Sequence, residues 1–170
     1  MREAFWKIWA LLVPEHPTSI YNGVLKLNFV ELCGGEQIDF YESKLLAFSV
    51  FHAYGKILAL AYRLETPGGV FVYSGDSGAG LDLEKAARNA DIFLCDCSAD
   101  IGEDKSGTSG HLNSYQAGEL ALKTGVKKLW LTHYSGKDSP EEIIKECSRS
   151  GFSGEVLVVK DGDHFGLFEK

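Results

Sequence analysis

The sequence predicts an α/β fold in a single domain, and three features support this prediction. The chain has 170 residues, which suits one domain of about 100–200 residues, and 45% of them are apolar. Short strand-like runs dominate the first half, whereas helix-like and strand-like segments alternate in the second half. Such a mixture is typical of a sheet that packs against helices. We therefore expect one α/β domain that spans residues 1–170.

The first half begins with a predicted helix and continues with strands. Residues 1–12 carry aromatic side chains at helical spacing, and Pro14 ends the segment. We expect this helix to pack on a partner surface; a membrane anchor is the alternative, although a span needs about 20 apolar residues. Strand-like runs follow, separated by Gly-rich turns. These runs are Val24–Leu32, Gln37–Tyr41, Lys44–His52, Ile57–Glu65 and Val70–Tyr73.

After Asp76 the apolar period changes from two residues to about 3.6 residues, which predicts helices between the strands. Helices are predicted over 81–90, Asn113–Thr124 and Ser139–Ser148, and Gly125 is well placed to end the second of them. The third has a Ser N-cap, a proline and two acids in its first turn. The intervening strands are Asp91–Cys97, Val126–Thr132, Glu155–Val159 and Phe165–Phe168.

Charge and cysteine usage limit the classes of function. The formal net charge is −7, and an acidic surface repels phosphate backbones unless a basic patch or a bound cation compensates. A nucleic-acid partner is therefore not favoured. None of the four cysteines forms a CxxC pair, and Cys95 and Cys97 lie two residues apart in an apolar run, on one face of a strand. We expect buried, reduced thiols in a cytoplasmic protein.

Three candidate metal ligands directly follow predicted strands or end them. They are His52, Asp76 and His133. Side chains at strand ends are well placed to form a site on a rigid scaffold. Imidazole nitrogen and carboxylate oxygen suit zinc, and an Asp can bridge two metal ions. Each residue alone is more typical of a structural histidine or a turn aspartate, so the prediction depends on the ordered set of motifs around them.

Six short motifs accompany these residues in a defined order along the chain. They are Ala-Tyr-Arg-Leu at 61–64, Ser-Gly-Asp-Ser at 74–77, Leu-Cys-Asp-Cys at 94–97, Gly-His-Leu-Asn-Ser at 110–114, Leu-Thr-His-Tyr-Ser at 131–135 and Lys-Asp-Gly-Asp at 160–163. This order resembles the ribonuclease Z-like branch of the metallo-β-lactamase superfamily. The resemblance covers nearly the whole chain and implies the C-terminal portion of that superfamily's αββα sandwich, hence an incomplete fold.

The resemblance also implies a role for each candidate residue in a metal-dependent hydrolase of phosphodiesters or other esters. His52 would bind a first metal, Asp76 would bridge two metals and His133 would bind the second. The complete fold would hold two zinc ions, with manganese or iron as alternatives. His111 would protonate a leaving oxygen or stabilise charge on a phosphoryl group, and Asp96 would orient His111 through its other ring nitrogen.

One element of the superfamily is missing from the sequence. The motif His-x-His-x-Asp-His, which supplies further ligands in the family, occurs nowhere in the 170 residues. Since a zinc site normally has three or four protein ligands, we expect weak or no metal binding by this chain alone. The chain would be a half that an N-terminal partner completes, a self-associating domain, or a catalytically inactive interaction module. The short His52–Asp76 interval also lacks the long arm with which ribonuclease Z enzymes grip tRNA.

Overall fold

The computed structural model describes residues 30–102 and 110–166. The chain separates into two compact units, Met1–Glu31 and Leu32–Lys170. The predicted helix over residues 1–12 and most of the predicted strand Val24–Leu32 lie outside the described residues, and the last three residues of that strand have no regular secondary structure. One domain over residues 1–170 therefore stays a prediction.

In residues 30–102 and 110–166, seven strands form one mixed sheet, in which spatial order follows chain order. The strands β1 to β4 are antiparallel, and β4 to β7 are parallel. Their bounds are Gln37–Phe40 (β1), Ser43–Val50 (β2), Ala59–Thr66 (β3), Gly69–Tyr73 (β4), Ile92–Asp96 (β5), Lys128–Thr132 (β6) and Glu155–Val158 (β7). The predicted α/β class is confirmed, and in the structure the pairing changes from antiparallel to parallel where helices begin to alternate with strands.

The prediction of a last strand over Phe165–Phe168 is wrong at its first two residues, which are not in a strand. Residues 167 and 168 lie outside the described part of the chain. The ring of Phe165 packs on Trp130 of β6, with ring centroids 4.8 Å apart. Contact between two large aromatic rings is favourable, and here it replaces strand pairing at this position.

In the part of the chain that the structure describes, three α-helices connect the parallel strands, and two of them begin at strong local signals. They are Leu81–Ala87 (α1), Ser114–Thr124 (α2) and Pro140–Ser148 (α3). Asn113 and Ser139 each form a reciprocal capping box with the residue three positions on. Gly125 ends α2 at a φ of 73°, a left-handed conformation that glycine adopts at low cost. These boundaries agree with the predictions.

Helix α1 ends three residues before its predicted end because a side chain from β3 binds its C-terminal carbonyls. Arg63 Nη1 donates to the carbonyl oxygens of Ala86 and Arg88, each at 2.8 Å. Its Nε donates to Glu65 at 2.7 Å, which holds the guanidinium in place. The Arg of the Ala-Tyr-Arg-Leu motif thus joins the antiparallel part of the sheet to the first helix.

The hydrophobic core combines the helices with side chains of one sheet face. Its fully buried large members include Phe93, Leu83, Leu129, Leu131 and Val72. Burial of such side chains contributes about 1.5–3 kcal/mol each. Cys95, Cys97 and Cys147 belong to this core, whereas Cys33 is exposed and departs from the prediction of buried thiols.

This topology places the carboxyl ends of four strands at one edge of the sheet. Because β2 and β4 are both antiparallel to β3, they run in the same direction, and β5 and β6 are parallel to β4. The carboxyl ends of all four strands therefore meet at one edge, where ligands bind in open α/β sheets.

Among residues 30–102 and 110–166, no helix is long and apolar enough to cross a bilayer.

Candidate metal centre

A buried carboxylate lies at the centre of this edge. Asp96 ends β5 and is only 1% exposed. Its Oδ2 accepts from the backbone amide of Ser77 and its Oδ1 from that of Ser98, both at 2.9 Å. Its own amide donates to Ser74 Oγ at 2.8 Å. Such bonds to a buried charge offset the cost of removing it from water.

His111 contacts this carboxylate from the segment that precedes α2. Its Nδ1 lies 2.7 Å from Asp96 Oδ2, and its side chain is 24% exposed. The capping box at Asn113 fixes the start of the helix two residues later. The prediction that Asp96 orients His111 therefore has the geometry it requires.

His52 reaches the same place from the end of β2. Its Nδ1 lies 3.0 Å from the carbonyl oxygen of Gly110, and its ring centroid lies 4.7 Å from that of His111. A Cβ on Gly110 would come within 2.8 Å of the Ala53 amide nitrogen, so only glycine permits this close approach. The amide of Gly78 donates to the Phe51 carbonyl at 2.8 Å, which joins the β2 end to the loop after β4.

His133 and Asp76 form the more exposed side of the cluster. His133 Nδ1 lies 3.3 Å from Asp76 Oδ1 and 3.3 Å from Asp96 Oδ1. Its ring centroid lies 5.4 Å from that of His111. The backbone of His133 has a φ of 62°, a strained conformation for a residue with a side chain. Strain of this kind persists where surrounding contacts determine the conformation.

The structure thus gathers all five predicted residues at one edge of the sheet. The donor atoms of Asp96, His111 and His133 lie within 4.8 Å of one another, a spacing that could hold a metal ion. The predicted ligand set is different and consists of His52, Asp76 and His133. Both sets combine imidazole with carboxylate, which suits zinc. The metal roles of His52, Asp76 and His133 and the catalytic roles of His111 and Asp96 stay predictions.

Comparison with known proteins identifies the family. Residues 12–134 match the model of the β-lactamase superfamily domain. This chain belongs to the β-lactamase superfamily. All five clustered residues lie within the matched range, with His133 close to its end.

Relatives support the ribonuclease Z-like branch of this superfamily. The chain is 36% identical to a ribonuclease Z of Picrophilus torridus over 92 residues, which cover 54% of this chain and 30% of that protein. It is 37% identical to an uncharacterized protein of Mycobacterium leprae over 106 residues, covering 62% of this chain and 37% of the relative. The chain spans about a third of the length of these curated relatives.

Solved structures share the fold at low sequence identity. The metallo-β-lactamase fold protein YhfI from Bacillus subtilis has a TM-score of 0.69 and 24% identity, over 79% of this chain and 54% of that one. The short form of human tRNase Z has a TM-score of 0.55 and 22% identity, over 73% of this chain and 42% of that one. A diphosphatase of the PhnP family has a TM-score of 0.57 and 18% identity, over 92% and 52% respectively. These similarities confirm that the chain has the predicted metallo-β-lactamase fold, over about half of the length of each of these proteins.

Sequence reasoning missed the groups that hold Asp96. They are Ser74, Ser77 and Ser98, and the carbonyl of Gly110 plays the corresponding part for His52. The Ser-Gly-Asp-Ser motif drew attention to Asp76 alone, although both of its serines are fully buried. A backbone amide donor leaves no mark in a sequence, so only Ser74, which uses its hydroxyl, could have been found from residue type.

Burial and the nearby carboxylates favour the neutral forms of two side chains beside the cluster, Tyr73 and Cys97. Burial, together with the charges of Asp76 and Asp96, raises the pKa of Tyr73, so its hydroxyl keeps its proton and can donate. Burial, with a smaller effect of Asp96, raises the pKa of the Cys97 thiol to about 12. Cys97 is therefore neither a thiolate nucleophile nor a ready metal ligand at neutral pH.

Proposed function

We propose that this chain supplies part of the active site of a metal-dependent hydrolase that cleaves a phosphodiester or a related ester. The observation that carries the proposal is the convergence of three imidazoles and two carboxylates from separate loops at one edge of the sheet. Membership of the β-lactamase superfamily, and relatives that are ribonuclease Z enzymes, support this class of reaction.

We propose zinc as the metal, held through His52, Asp76 and His133, with manganese or iron as alternatives. A bound divalent ion supplies a water of lowered pKa and a positive charge for the developing oxyanion. Further ligands would come from an N-terminal half, because the sequence contains no His-x-His-x-Asp-His motif, and a second copy of this chain would lack the motif as well. We retain a cytoplasmic location as part of this proposal.

His111 and Asp96 have the geometry for proton transfer. His111 is partly exposed, so a substrate can reach its ring, while Asp96 is buried behind it. With Nδ1 facing Asp96, the Nε2 atom of protonated His111 can donate to a leaving oxygen. Asp96 Oδ2, 2.7 Å from Nδ1, would hold the ring in the orientation for this transfer, as a carboxylate does behind a catalytic histidine.

The rim beside His52 favours a small substrate that carries an apolar or aromatic group. Phe51, Tyr54, Ile57 and Leu58 are all exposed in the segment between β2 and β3. Tyr54 is held at a φ of 56°, and the amide of Gly55 donates to the His52 carbonyl at 2.8 Å. An apolar rim, together with the acidic balance of the chain, is poorly suited to the backbone of a long nucleic acid.

A second candidate function is a non-catalytic interaction module. It is favoured by one observation, namely that the sequence lacks the motif that completes the metal site in the superfamily. In that case the clustered histidines and aspartates would be structural, and the exposed apolar segment after His52 would contact a partner.

A test begins with the coding DNA directly upstream of Met1. If it encodes a His-x-His-x-Asp-His frame, that frame and this chain are produced together and assayed with zinc on bis(4-nitrophenyl) phosphate. We expect metal-dependent hydrolysis, a loss of at least about 100-fold in Asp76→Ala, and a loss of about 100-fold or more in His111→Ala. Asp82→Ala, in an exposed ion pair on α1, is the matched control and should retain full activity.

Two outcomes contradict the enzyme proposal. One is an assembled pair that binds zinc but hydrolyses no ester. The other is absence of the motif both upstream and in every chain that co-purifies with this one, which favours the interaction module. Activity that survives in Asp76→Ala would contradict the assignment of that residue as the bridging ligand.

A further inference from the structure

The neighbouring strands β5 and β6 have an aspartate–lysine ion pair at each of their two ends. Asp91 and Lys127 precede the two strands, and their side chains meet at 2.6 Å. Asp100 and Lys137 follow the same two strands, and Lys137 Nζ contacts Asp100 Oδ2. Because β5 and β6 are parallel, the second pair lies at the edge of the sheet that carries the clustered site. An ion pair near the surface contributes little stability by itself, so its importance depends on the backbone segments that it connects.

At the amino ends of the two strands, backbone hydrogen bonds already make the connection. The amides of Lys127 and Lys128 donate to carbonyl oxygens directly before β5, each at 3.0 Å. At the carboxyl ends, the last such bond runs from the Cys97 amide to the Thr132 carbonyl oxygen at 2.9 Å. Within the part of the chain that the structure describes, no backbone hydrogen bond joins the two loops beyond that point. Side chains therefore connect the loop after β5 to the loop after β6.

Asp100 makes the central contacts of this connection. Its side chain is 15% exposed, its Oδ1 accepts from Ser135 Oγ at 2.7 Å, and its Oδ2 accepts from Lys137. The hydrogen bond from Lys137, followed by that from Ser135, holds the pKa of Asp100 below its ordinary value of 3.8, so the group is charged at neutral pH. Asp138 Oδ2 in turn accepts from the amide of Ile101 at 3.3 Å. Each loop thus supplies a carboxylate that binds the other loop.

His133 begins the second of these loops in a conformation that needs such support. Its φ of 62° is left-handed, which is costly for a residue with a side chain and persists where surrounding contacts determine it. Strand β6 ends one residue earlier, and the capping box at Ser139 fixes the far end of the loop. Between these points, Ser135 Oγ accepts from the Lys137 amide at 3.3 Å and donates to Asp100. The loop is thus fixed at both ends and, in its middle, by Asp100.

We propose that Asp100 is a positioning residue that holds the backbone of His133 in its left-handed conformation, by binding Ser135 and Lys137. Asp100 acts through the loop, two and four residues beyond His133, and not through the imidazole ring. Because the direction of a side chain depends on the backbone that carries it, Asp100 determines where the imidazole of His133 lies in the cluster. The use of this position for metal binding rests on the proposed function, whereas the backbone conformation does not.

The test measures the backbone conformation of His133 by NMR in the metal-free 170-residue chain. Backbone carbon shifts, together with the coupling between the amide and α protons, report φ, and we expect left-handed values in the wild type. Asp100→Ala should shift them away from left-handed values, because the loop loses its central contact. His52, which a carbonyl of another loop holds, should not change. Asp91→Ala removes the corresponding ion pair at the other end of the strands, and this matched control should leave His133 unchanged.

Two further variants give a result even if Asp100→Ala does not fold. Ser135→Ala removes the hydroxyl that binds Asp100 and should shift His133 in the same direction as Asp100→Ala. Asp100→Asn keeps an oxygen that can accept from Ser135 Oγ, so it should produce a smaller shift than Ser135→Ala. Left-handed values at His133 that persist in Ser135→Ala and in folded Asp100→Ala would overturn the proposal. An equal change of His133 in Asp91→Ala would also overturn it.

A zinc titration of the same variants separates this proposal from the proposed function. If His133 binds metal, Asp100→Ala should weaken zinc binding by about 10-fold, since loss of a group that supports a ligand costs roughly 10–100-fold in metal affinity. A His133 backbone that changes while the zinc affinity stays within about twofold would support the positioning role and contradict His133 as a ligand. Weaker zinc binding with an unchanged His133 backbone would overturn the positioning role.

Discussion

The two sides of the clustered site differ in how firmly this chain holds them. On one side, Asp96 is buried, accepts two backbone amides and contacts His111 at 2.7 Å. On the other side, Asp76 and His133 are each about half exposed and meet at 3.3 Å. The groups that orient the site are fixed within the chain, whereas the groups predicted to bridge and bind metal remain open to further ligands.

This difference agrees with the ligands that the sequence lacks. The proposed acid–base pair of Asp96 and His111 needs only support from within the chain, and Ser74, Ser77 and Ser98 provide it. A two-metal site needs more donors than His52, Asp76 and His133 can supply. The exposed side is where the proposed N-terminal half would add its ligands.

The largest effect on stability is expected from the buried side of this comparison. Asp96→Asn replaces one carboxylate oxygen by an NH₂ group, so the backbone amide of Ser77 or Ser98 loses its acceptor and faces a second donor. We expect a loss of about 2–3 kcal/mol in the free energy of unfolding, measured by urea titration at neutral pH. Asp76→Asn, on the exposed side, should change it by less than about 0.5 kcal/mol. Equal losses in the two variants would contradict the comparison.

A smaller effect is expected where His52 meets Gly110. Gly110 has a φ of 91°, and an added Cβ would lie 2.8 Å from the Ala53 amide nitrogen. Gly110→Ala should destabilise the chain by about 1–3 kcal/mol through backbone strain and should displace the His52 ring. Gly102→Ala is the matched control, because Gly102 has a φ of 81° but nothing within 4 Å of the added carbon. An unchanged His52 ring resonance in Gly110→Ala would show that this contact does not position the ring.

The smallest effect is expected at the opposite end of the sheet, where an ion pair lies far from the site. The hydrogen bond from Lys127 is the main cause that holds the pKa of Asp91 below its ordinary value of 3.8. Because the folded pKa is lowered, the stabilisation exists above pH 3.8 and is lost as pH falls through the folded pKa. Asp91→Asn should cost about 0.2–1 kcal/mol at neutral pH, and the difference from wild type should disappear in acid. A difference that persists in strong acid would contradict an electrostatic origin.

Local signals in the sequence predicted the fold better than long-range contacts did. Asn113 and Ser139 marked two helix starts correctly, since a cap is read from adjacent residues. The end of α1 was misplaced because Arg63, more than twenty residues away, binds its carbonyls. Phe165 was predicted in a strand because its contact with Trp130 cannot be read from spacing.

The residues of the site could be predicted from the sequence, but the backbone groups that hold their side chains in place could not. His52, Asp76, Asp96, His111 and His133 follow strands or open a helix, and the family motifs gave their order. Their convergence depends on strand direction, which the sequence pattern does not specify. The backbone amides that hold Asp96 and the carbonyl that holds His52 depend on loop conformation, which residue identity does not specify.

A zinc titration of the metal-free chain by calorimetry tests most directly whether the open side is the metal-binding side. We expect weak binding of zinc, with a Kd above about 1 µM. Asp76→Asn and His52→Ala should each weaken this binding by at least about 10-fold, which corresponds to about 1.4 kcal/mol. His111→Ala should leave the affinity unchanged within about twofold, or about 0.4 kcal/mol. Loss of zinc binding in His111→Ala with full binding in Asp76→Asn would contradict the account, because the ligands would then be Asp96, His111 and His133.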